Sequence, residues 1–307
     1  MTPVARGARR LARRVSRDLP HVDGVEHRFL ELRGLRVHVA EAGEGEPLVM
    51  LHGWPQHWYG WRHLIPSLAK RYRVICPDLR GLGWTDAPPS GYEKEELASD
   101  VLALIELLGL DRVKLVGHDW GGWVGFLICL REPERVERYL ALNVLPPFVP
   151  LEARRLLSIW RLWYQWVIAA PGLGAWAVRQ MASRSNPVSR WVGAGPRAWN
   201  DEERESFLGQ LREPERARAS VQYYRAFQLR EIGPLIRGRY RRRRLSTPTL
   251  ALFGTGDRAM SPRALEGSRR YAEDMRVELF DGIGHFIADE RPDLVLDRAL
   301  AFFGEQA

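Results

Sequence analysis

V-K-L-V-G-H-D-W-G-G-W, residues 113–123, is the stretch that decides the fold. It opens as an apolar run interrupted only by Lys114, the pattern of a short strand covered on both faces. Gly117 and Gly121 stand two positions either side of Asp119, and Gly122 follows. That spacing matches a nucleophile elbow, a tight strand–turn–helix that lifts one side chain to its top. The glycines suit a strained turn that packs closely. The pattern predicts a helix over residues 123–130. Serine is usual at the centre of such an elbow; here the residue is Asp119. Alone, the motif competes with an aspartate that simply caps a helix.

The surrounding chain has the rhythm that such an elbow needs. Residues 27–32 and 36–41 alternate and predict an antiparallel pair, while residues 48–51 and 73–77 predict buried strands. Leu97, Val101, Leu104, Ile105 and Leu108 recur at helical spacing, and Gly109 ends that helix. Residues 136–142, 248–253 and 276–280 predict three more strands, and residues 294–303 a closing helix. This is the βαβ order of a mostly parallel sheet. Residues 147–246, which begin after Pro146, break the rhythm: they are helical, basic and aromatic, and hold six of the twelve tryptophans. They predict a helical cap inserted into a core of residues 25–146 and 247–307, preceded by a basic arm of residues 1–24.

At 307 residues and 45% hydrophobic, the chain can bury a sizeable core and is too apolar for disorder. Its two cysteines, Cys76 and Cys129, exclude a disulfide scaffold and a four-cysteine zinc site, and read as small buried hydrophobes. The formal charge of +8 suggests a nucleic-acid or membrane protein until it is mapped. Residues 1–17 hold six arginines and residues 237–244 six more, with no acid in either run. Without these twelve, 34 basic residues face 38 acidic ones, so the body is mildly acidic. No nucleic-acid motif accompanies either run. The arm has no apolar stretch behind its arginines and does not read as a secretory leader. Val4, Leu11, Val15 and Leu19 permit a weak amphipathic helix able to touch an anionic membrane surface, although a solvated terminus is the plainer reading. The second run reads as a solvated connector. A cytoplasmic location follows, with peripheral membrane contact through the arm as its alternative.

Two further residues stand where the elbow requires partners. L-F-G-T-G-D ends a strand with Asp257, and F-D-G-I-G-H places His285 just past the last strand. The order nucleophile, acid, histidine is that of the α/β-hydrolase type. H-G-W-P, His52 to Pro55, follows the strand of residues 48–51. On these motifs, with His52, Gly53, Pro55, Gly117 and Gly121 as support, the chain strongly resembles the α/β-hydrolase superfamily and, within it, the epoxide hydrolase branch. The resemblance implies an eight-stranded, mostly parallel sheet with a helical cap, and an oxyanion hole from the Trp54 and Trp120 backbone N–H groups. D-L-R-G-L-G-W-T-D, residues 78–86, resembles that branch's structural loop.

An aspartate at the elbow changes the chemistry. An oxygen nucleophile attacking an sp³ carbon makes a C–O bond; from serine this is an ether, from a carboxylate an ester that water can reopen. Asp119 therefore argues against esterase, lipase or peptidase activity and for epoxide opening or carbon–halogen cleavage. An epoxide oxygen leaves as an alkoxide and needs a proton, which a neutral phenol with a pKa of about 10 can supply. The resemblance implies two such cap tyrosines. Tyr164 matches the first, in a pattern with Gln165, Pro171 and Gly172; Tyr224, before Arg225, matches the second, with Tyr223 as its neighbouring rival. The expected activity is conversion of a small apolar epoxide and water to a vicinal diol without cofactor or metal. A haloalkane dehalogenase on the same scaffold and a non-catalytic binding member are the alternatives. Dehalogenases usually carry a polar residue at the position of Trp54, and some place their acid at that of Asn143. Trp160, Trp163 and Trp166, spaced by three, read as a core-packing stripe before a pocket lining. His21, His27, His38, His57 and His63 lack metal-ligand spacing, and Gly254-Thr255-Gly256 is a strand-end turn.

Overall fold

The computed structural model describes residues 18–149, 163–183 and 199–305. Most of the arm, Trp160 and parts of the insertion lie outside them. Eight strands form one sheet: β1 (Glu26–Leu32), β2 (Leu35–Ala42), β3 (Glu46–Leu51), β4 (Tyr72–Pro77), β5 (Val113–His118), β6 (Val136–Leu142), β7 (Thr249–Gly254) and β8 (Met275–Phe280). Their spatial order is β1-β2-β4-β3-β5-β6-β7-β8. The β1–β2 and β2–β4 pairs are antiparallel, and every other pair is parallel. The eight predicted strands are all present, with ends moved by one or two residues.

Between and around the strands lie α1 (Ile65–Leu68), α2 (Lys94–Leu107), α3 (Asp119–Arg131), α4 (Trp163–Ala169), α5 (Gly174–Met181), α6 (Asp201–Gly209), α7 (Pro214–Ala226), α8 (Ile232–Ile236), α9 (Ile287–Glu290) and α10 (Pro292–Gly304). A π-helical turn, Phe227–Glu231, joins α7 to α8. The central strands are apolar throughout because helices cover both sheet faces. Alternate residues divide between the two sides: Val49, Leu51, Ile75 and Leu115 join one core, and Leu48, Met50, Val74 and Val116 the other. Cys76 and Cys129 are buried and free, as small hydrophobes. Between β6 and β7 the described elements are helical, α4 to α8.

The chain leaves β3 toward β4 on one side and β5 toward β6 on the other. A switch in strand order of this kind opens a crevice at the carboxyl ends of the two neighbouring strands. Leu51 pairs with Gly117 there, so the segment after β3 meets the segment after β5. The turn between β5 and α3 is tighter than the sequence suggests: the strand runs to His118 and the helix starts at Asp119, not at residue 123. Asp119 takes φ +50, the left-handed region that side chains seldom adopt. Close approach of the two strand ends needs Gly121, where a Cβ would lie 2.3 Å from the carbonyl oxygens of Leu51 and His52.

One sequence expectation needs correction. Trp163 and Trp166 are 49% and 55% exposed, so they are not core packing. Gln165, Ile168 and Ala169 form the buried face of α4 instead, and the tryptophans fall on the other side. The 237–244 run is an exposed connector, as its sequence suggests: all six arginines are exposed, although the run is anchored at a few points. Tyr240 is buried with its hydroxyl on Glu95, Arg243 donates to the Leu130 carbonyl, and Arg239 and Arg244 face Glu95 and Glu273.

Gly121→Ala is expected to force the β3 and β5 ends apart. The cost should be about 1–3 kcal/mol, since backbone atoms cannot yield as a side chain can. A thermal melt lowered by several degrees checks this.

Candidate active site

Asp119 stands at the crevice with its side chain 19% exposed. Trp54, three residues past β3, donates its backbone N–H to Asp119 Oδ1 at 2.9 Å. Gly53 permits that approach, because a Cβ there would lie 2.3 Å from Oδ1. His52 aims the donor. The Leu79 N–H donates to His52 Nε2 at 3.0 Å, so the ring proton is on Nδ1, which donates to the Gly53 carbonyl at 3.1 Å. That carbonyl and the Trp54 N–H belong to one planar peptide, so holding one end orients the other. Burial pushes the His52 pKa down and keeps the ring in this neutral form. The next residue, Pro55, is joined by a cis peptide bond and its carbonyl accepts from Gln210 of the insertion.

The β7 and β8 loops deliver the other two members. His285 Nδ1 lies 2.8 Å from Asp257 Oδ2, and His285 Nε2 lies 3.6 Å from Asp119 Oδ2. The second distance is ion-pair range, not a hydrogen bond. Asp257 is fully buried, and every oxygen has donors: Asn143 Nδ2 at 2.9 Å on Oδ2, and the Ala259 and Met260 amides at 2.7 and 2.9 Å on Oδ1. Burial would push its pKa up, but the His285 charge and these donors outweigh it and hold it down. Burial likewise would push His285 down, yet Asp257 and Asp119 raise it to about 10. At neutral pH the site therefore holds an imidazolium between two carboxylates.

The insertion contributes the tyrosines. Tyr224 on α7 is buried, with its ring edge-on to Trp54 at 5.4 Å, Trp120 at 5.8 Å and Tyr164 of α4 at 6.1 Å. Burial pushes both phenols above their ordinary value, and the Asp119 charge adds to the rise in each. Both are thus neutral, and near enough to Asp119 to feel its charge. Tyr223 is placed elsewhere: its hydroxyl donates to the Arg80 carbonyl at 2.9 Å, and its ring packs on Tyr92. The Asp78–Asp86 loop is occupied structurally. Asp78 accepts from the Trp58 and Trp84 amides and binds His38, and Asp86 accepts from the Arg36 amide.

Three neighbours carry more than their sequence signal suggests. His118 is pushed down to about 4, by burial first and then by the His285 charge. Being neutral, it donates from Nε2 to the His285 carbonyl at 2.9 Å and so holds the histidine loop. Asn143, after β6, donates to Asp257 and to the Gly284 carbonyl and accepts from the Gly254 amide, binding the ends of β6, β7 and β8 together. Its φ of +40 is the only local oddity that marks it. Ser220 of α7 accepts the Trp54 indole N–H at 2.9 Å. Among the described residues no group of three or more His, Cys, Asp or Glu could hold a metal ion, and no helix is long and apolar enough to cross a membrane.

The family model described as the α/β hydrolase fold matches residues 46–292. The chain is 32% identical to a soluble epoxide hydrolase of Corynebacterium sp. (strain C12), over 91% of this chain and 97% of that one. The chain belongs to the epoxide hydrolase family of α/β hydrolases. Among solved structures, the ligand-free epoxide hydrolase CorEH superposes with a TM-score of 0.80 at 30% identity, covering 91% of this chain and 99% of that one. An epoxide hydrolase from Vigna radiata superposes with a TM-score of 0.78 at 27% identity, covering 93% and 99%. The protein is accordingly a hydrolase, built on an elbow whose central residue is a carboxylate.

Asn143→Asp would replace the donor to Asp257 with a second buried carboxylate. Like charges in one site raise one pKa strongly. The melting temperature should therefore fall at pH 8 and recover partly at pH 5, where one carboxyl takes up a proton. Thermal melts of this hydrolase and the variant at both pH values check the sign.

Proposed function

We propose that the chain hydrolyses apolar epoxides to vicinal diols through an ester on Asp119. The observation that supports this best is a carboxylate at the elbow whose charge reaches two neutral phenols, Tyr224 buried and Tyr164 half-buried. Asp119 Oδ1 is engaged by the Trp54 amide, which leaves Oδ2 as the attacking atom. Oδ2 forms a bond to an oxirane carbon, the C–O bond of the ring breaks, and Tyr164 or Tyr224 gives its proton to the departing oxygen. A phenol whose pKa is raised keeps its proton from solvent and yields it only to the far more basic alkoxide.

Water then attacks the ester carbonyl carbon. His285 takes its proton, and charge develops on Oδ1, where the Trp54 N–H already sits and the Trp120 N–H is expected to join it. The intermediate collapses, His285 protonates the leaving diol oxygen, and the carboxyl proton returns to the tyrosinate. One epoxide and one water give one diol. The site changes its own acidity between the steps. Asp119 is one of the charges that raise His285 to about 10, and esterification removes it. The histidine pKa falls at the stage where a neutral base is needed.

Halide release fits less well. The Trp54 indole N–H, a natural anion donor, is held by Ser220, and the two phenols would have no proton to give.

Asp119→Ala should abolish diol formation. His285→Gln should form the ester but not release it, seen in intact mass as an adduct equal to the substrate. An unmodified His285→Gln protein after exposure would count against the reading. Tyr224→Phe should slow ester formation on the order of 10²–10³-fold. Tyr223→Phe should slow it far less, since that hydroxyl bonds the Arg80 carbonyl and not the reacting oxygen, and cost about 1 kcal/mol of stability from the lost hydrogen bond.

The two steps should also differ in pH dependence. Ester formation does not need a neutral His285 and should lack the rise with pH that hydrolysis shows. Ester hydrolysis needs neutral His285, so it should rise with pH through an apparent pKa below the free-enzyme value of about 10. Single-turnover rates measured across pH would reverse this assignment if hydrolysis were flat and ester formation rose.

A further inference from the structure

Lys94 is the first residue of α2, in the core, and its side chain is fully buried. The Nζ donates to the Tyr223 carbonyl at 2.7 Å and to the Tyr92 carbonyl at 3.4 Å. It lies 3.2 Å from Glu231 Oε2 and 4.3 Å from the centre of the Trp120 ring. Glu231 also accepts the Lys94 backbone N–H at 2.8 Å, an acidic group at the N-terminus of α2. A buried ammonium is costly to desolvate, and an apolar side chain of similar volume would often fill such a space at no loss of stability.

Its contacts converge on one neighbour. Tyr223 is anchored to the core twice, by its carbonyl on Lys94 and by its hydroxyl on the Arg80 carbonyl. Tyr224 is the next residue, and its ring packs on Trp120, whose ring also meets the Lys94 ammonium, Trp123 and Phe227. The helix needs this help. The Phe227 N–H is shared between the Tyr223 and Tyr224 carbonyls, and the chain then widens into the π turn of Phe227–Glu231. Widened turns are uncommon inside helices and occur frequently at functional sites. A charge-assisted donor on the Tyr223 carbonyl fixes the helix where its own bonding is divided.

We propose that Lys94 is a positioning residue for epoxide opening, holding the Tyr223 carbonyl and the Trp120 face so that the Tyr224 hydroxyl stays over Asp119. The proposal rests on the epoxide reading above. It concerns ester formation, which uses Tyr224, and not ester hydrolysis, which does not.

The test is a double-mutant cycle read in single turnovers with a styrene-type aryl epoxide. Lys94→Met, similar in length and uncharged, should slow ester formation on the order of 10- to 100-fold, the usual scale of a small misplacement. Hydrolysis of the ester should change little. In a Tyr224→Phe background the same substitution should cost no more than a few-fold, because the group it positions is gone. Lys94→Arg should restore part of the rate. Ester-bearing sites are counted by intact mass in the His285→Gln background, so every rate refers to folded protein. If Lys94→Met does not fold, Glu231→Gln carries the test, since it removes the paired charge but keeps an acceptor for the α2 amide. Equal slowing with and without the Tyr224 hydroxyl, or none, would overturn the proposal. Absence of ester in the parent His285→Gln protein would instead overturn the epoxide reading, and this inference with it.

Discussion

The 2.9 Å hydrogen bond from the Trp54 amide to Asp119 Oδ1 is the contact on which the rest of the site depends. It needs β3 and β5 to be neighbours, although β4 separates them in the chain. It needs two positions without a Cβ, Gly53 against Asp119 and Gly121 against the Leu51 and His52 carbonyls. It also needs a side-chain-bearing residue at φ +50, a conformation that costs on the order of 1–3 kcal/mol. That cost is met by the sheet, because the strand before Asp119 and the helix after it are both buried. The strain presents one carboxylate with one oxygen held by an amide and the other 3.6 Å from His285 Nε2.

Electrostatics then distribute the work among groups that would otherwise titrate alike. Asp119 and Asp257 are both carboxylates in one site. Asp257 has four donors and no exposure, so it only orients and charges His285. Asp119 has one amide donor, partial exposure and an ion-pair distance to the same ring. In the proposed mechanism the better-solvated carboxylate with fewer partners is the one that forms the bond. Asn143 takes part in this division. An aspartate at that position would face Asp257 as a like charge, whereas the amide donates to it and accepts from the strand that carries it.

The parts of this arrangement carried by local pattern were legible in the sequence. Continuous apolar runs mark strands covered on both faces, and small residues either side of Asp119 mark the elbow. Asp257 and His285 follow the strands that deliver them. What was not legible depends on tertiary neighbours. Ser220 and Lys94 carry no motif, His118 has no assigned role within its motif, and their roles come from a carbonyl or a ring contributed by residues distant in the chain. The helix start was misplaced because glycines at 121 and 122 look like a loop, when they are required by backbone contact within the helix. The Trp163 and Trp166 pair was misread because spacing by three fits a buried stripe, while the buried side of α4 is carried by Gln165, Ile168 and Ala169. Tyr224 and Tyr223 are adjacent and chemically alike, and only their tertiary partners distinguish them, the Arg80 carbonyl and Tyr92 for one and Trp54, Trp120 and Tyr164 for the other.

The insertion meets the core through apolar packing and a set of buried polar contacts, and the polar contacts bear on how two tyrosines would be aimed from a separate set of helices. Gln210 donates to the Pro55 carbonyl and accepts from the Gly83 amide. Ser220 holds Trp54, Glu203 pairs with Arg62, and Arg216 donates to the Thr85 carbonyl. An apolar interface of the same area would tolerate sliding by a fraction of a residue, since dispersion contacts are numerous and individually weak. Hydrogen bonds to single backbone groups do not, because each displaced donor leaves a buried acceptor unsatisfied at a cost of about 1–3 kcal/mol. Several of these contacts fall on the segment from His52 to Pro55 or on α7, the two elements that carry the Trp54 amide and Tyr224. The polar contacts therefore set the register between carboxylate and phenol, and the apolar contacts around them supply most of the adhesion.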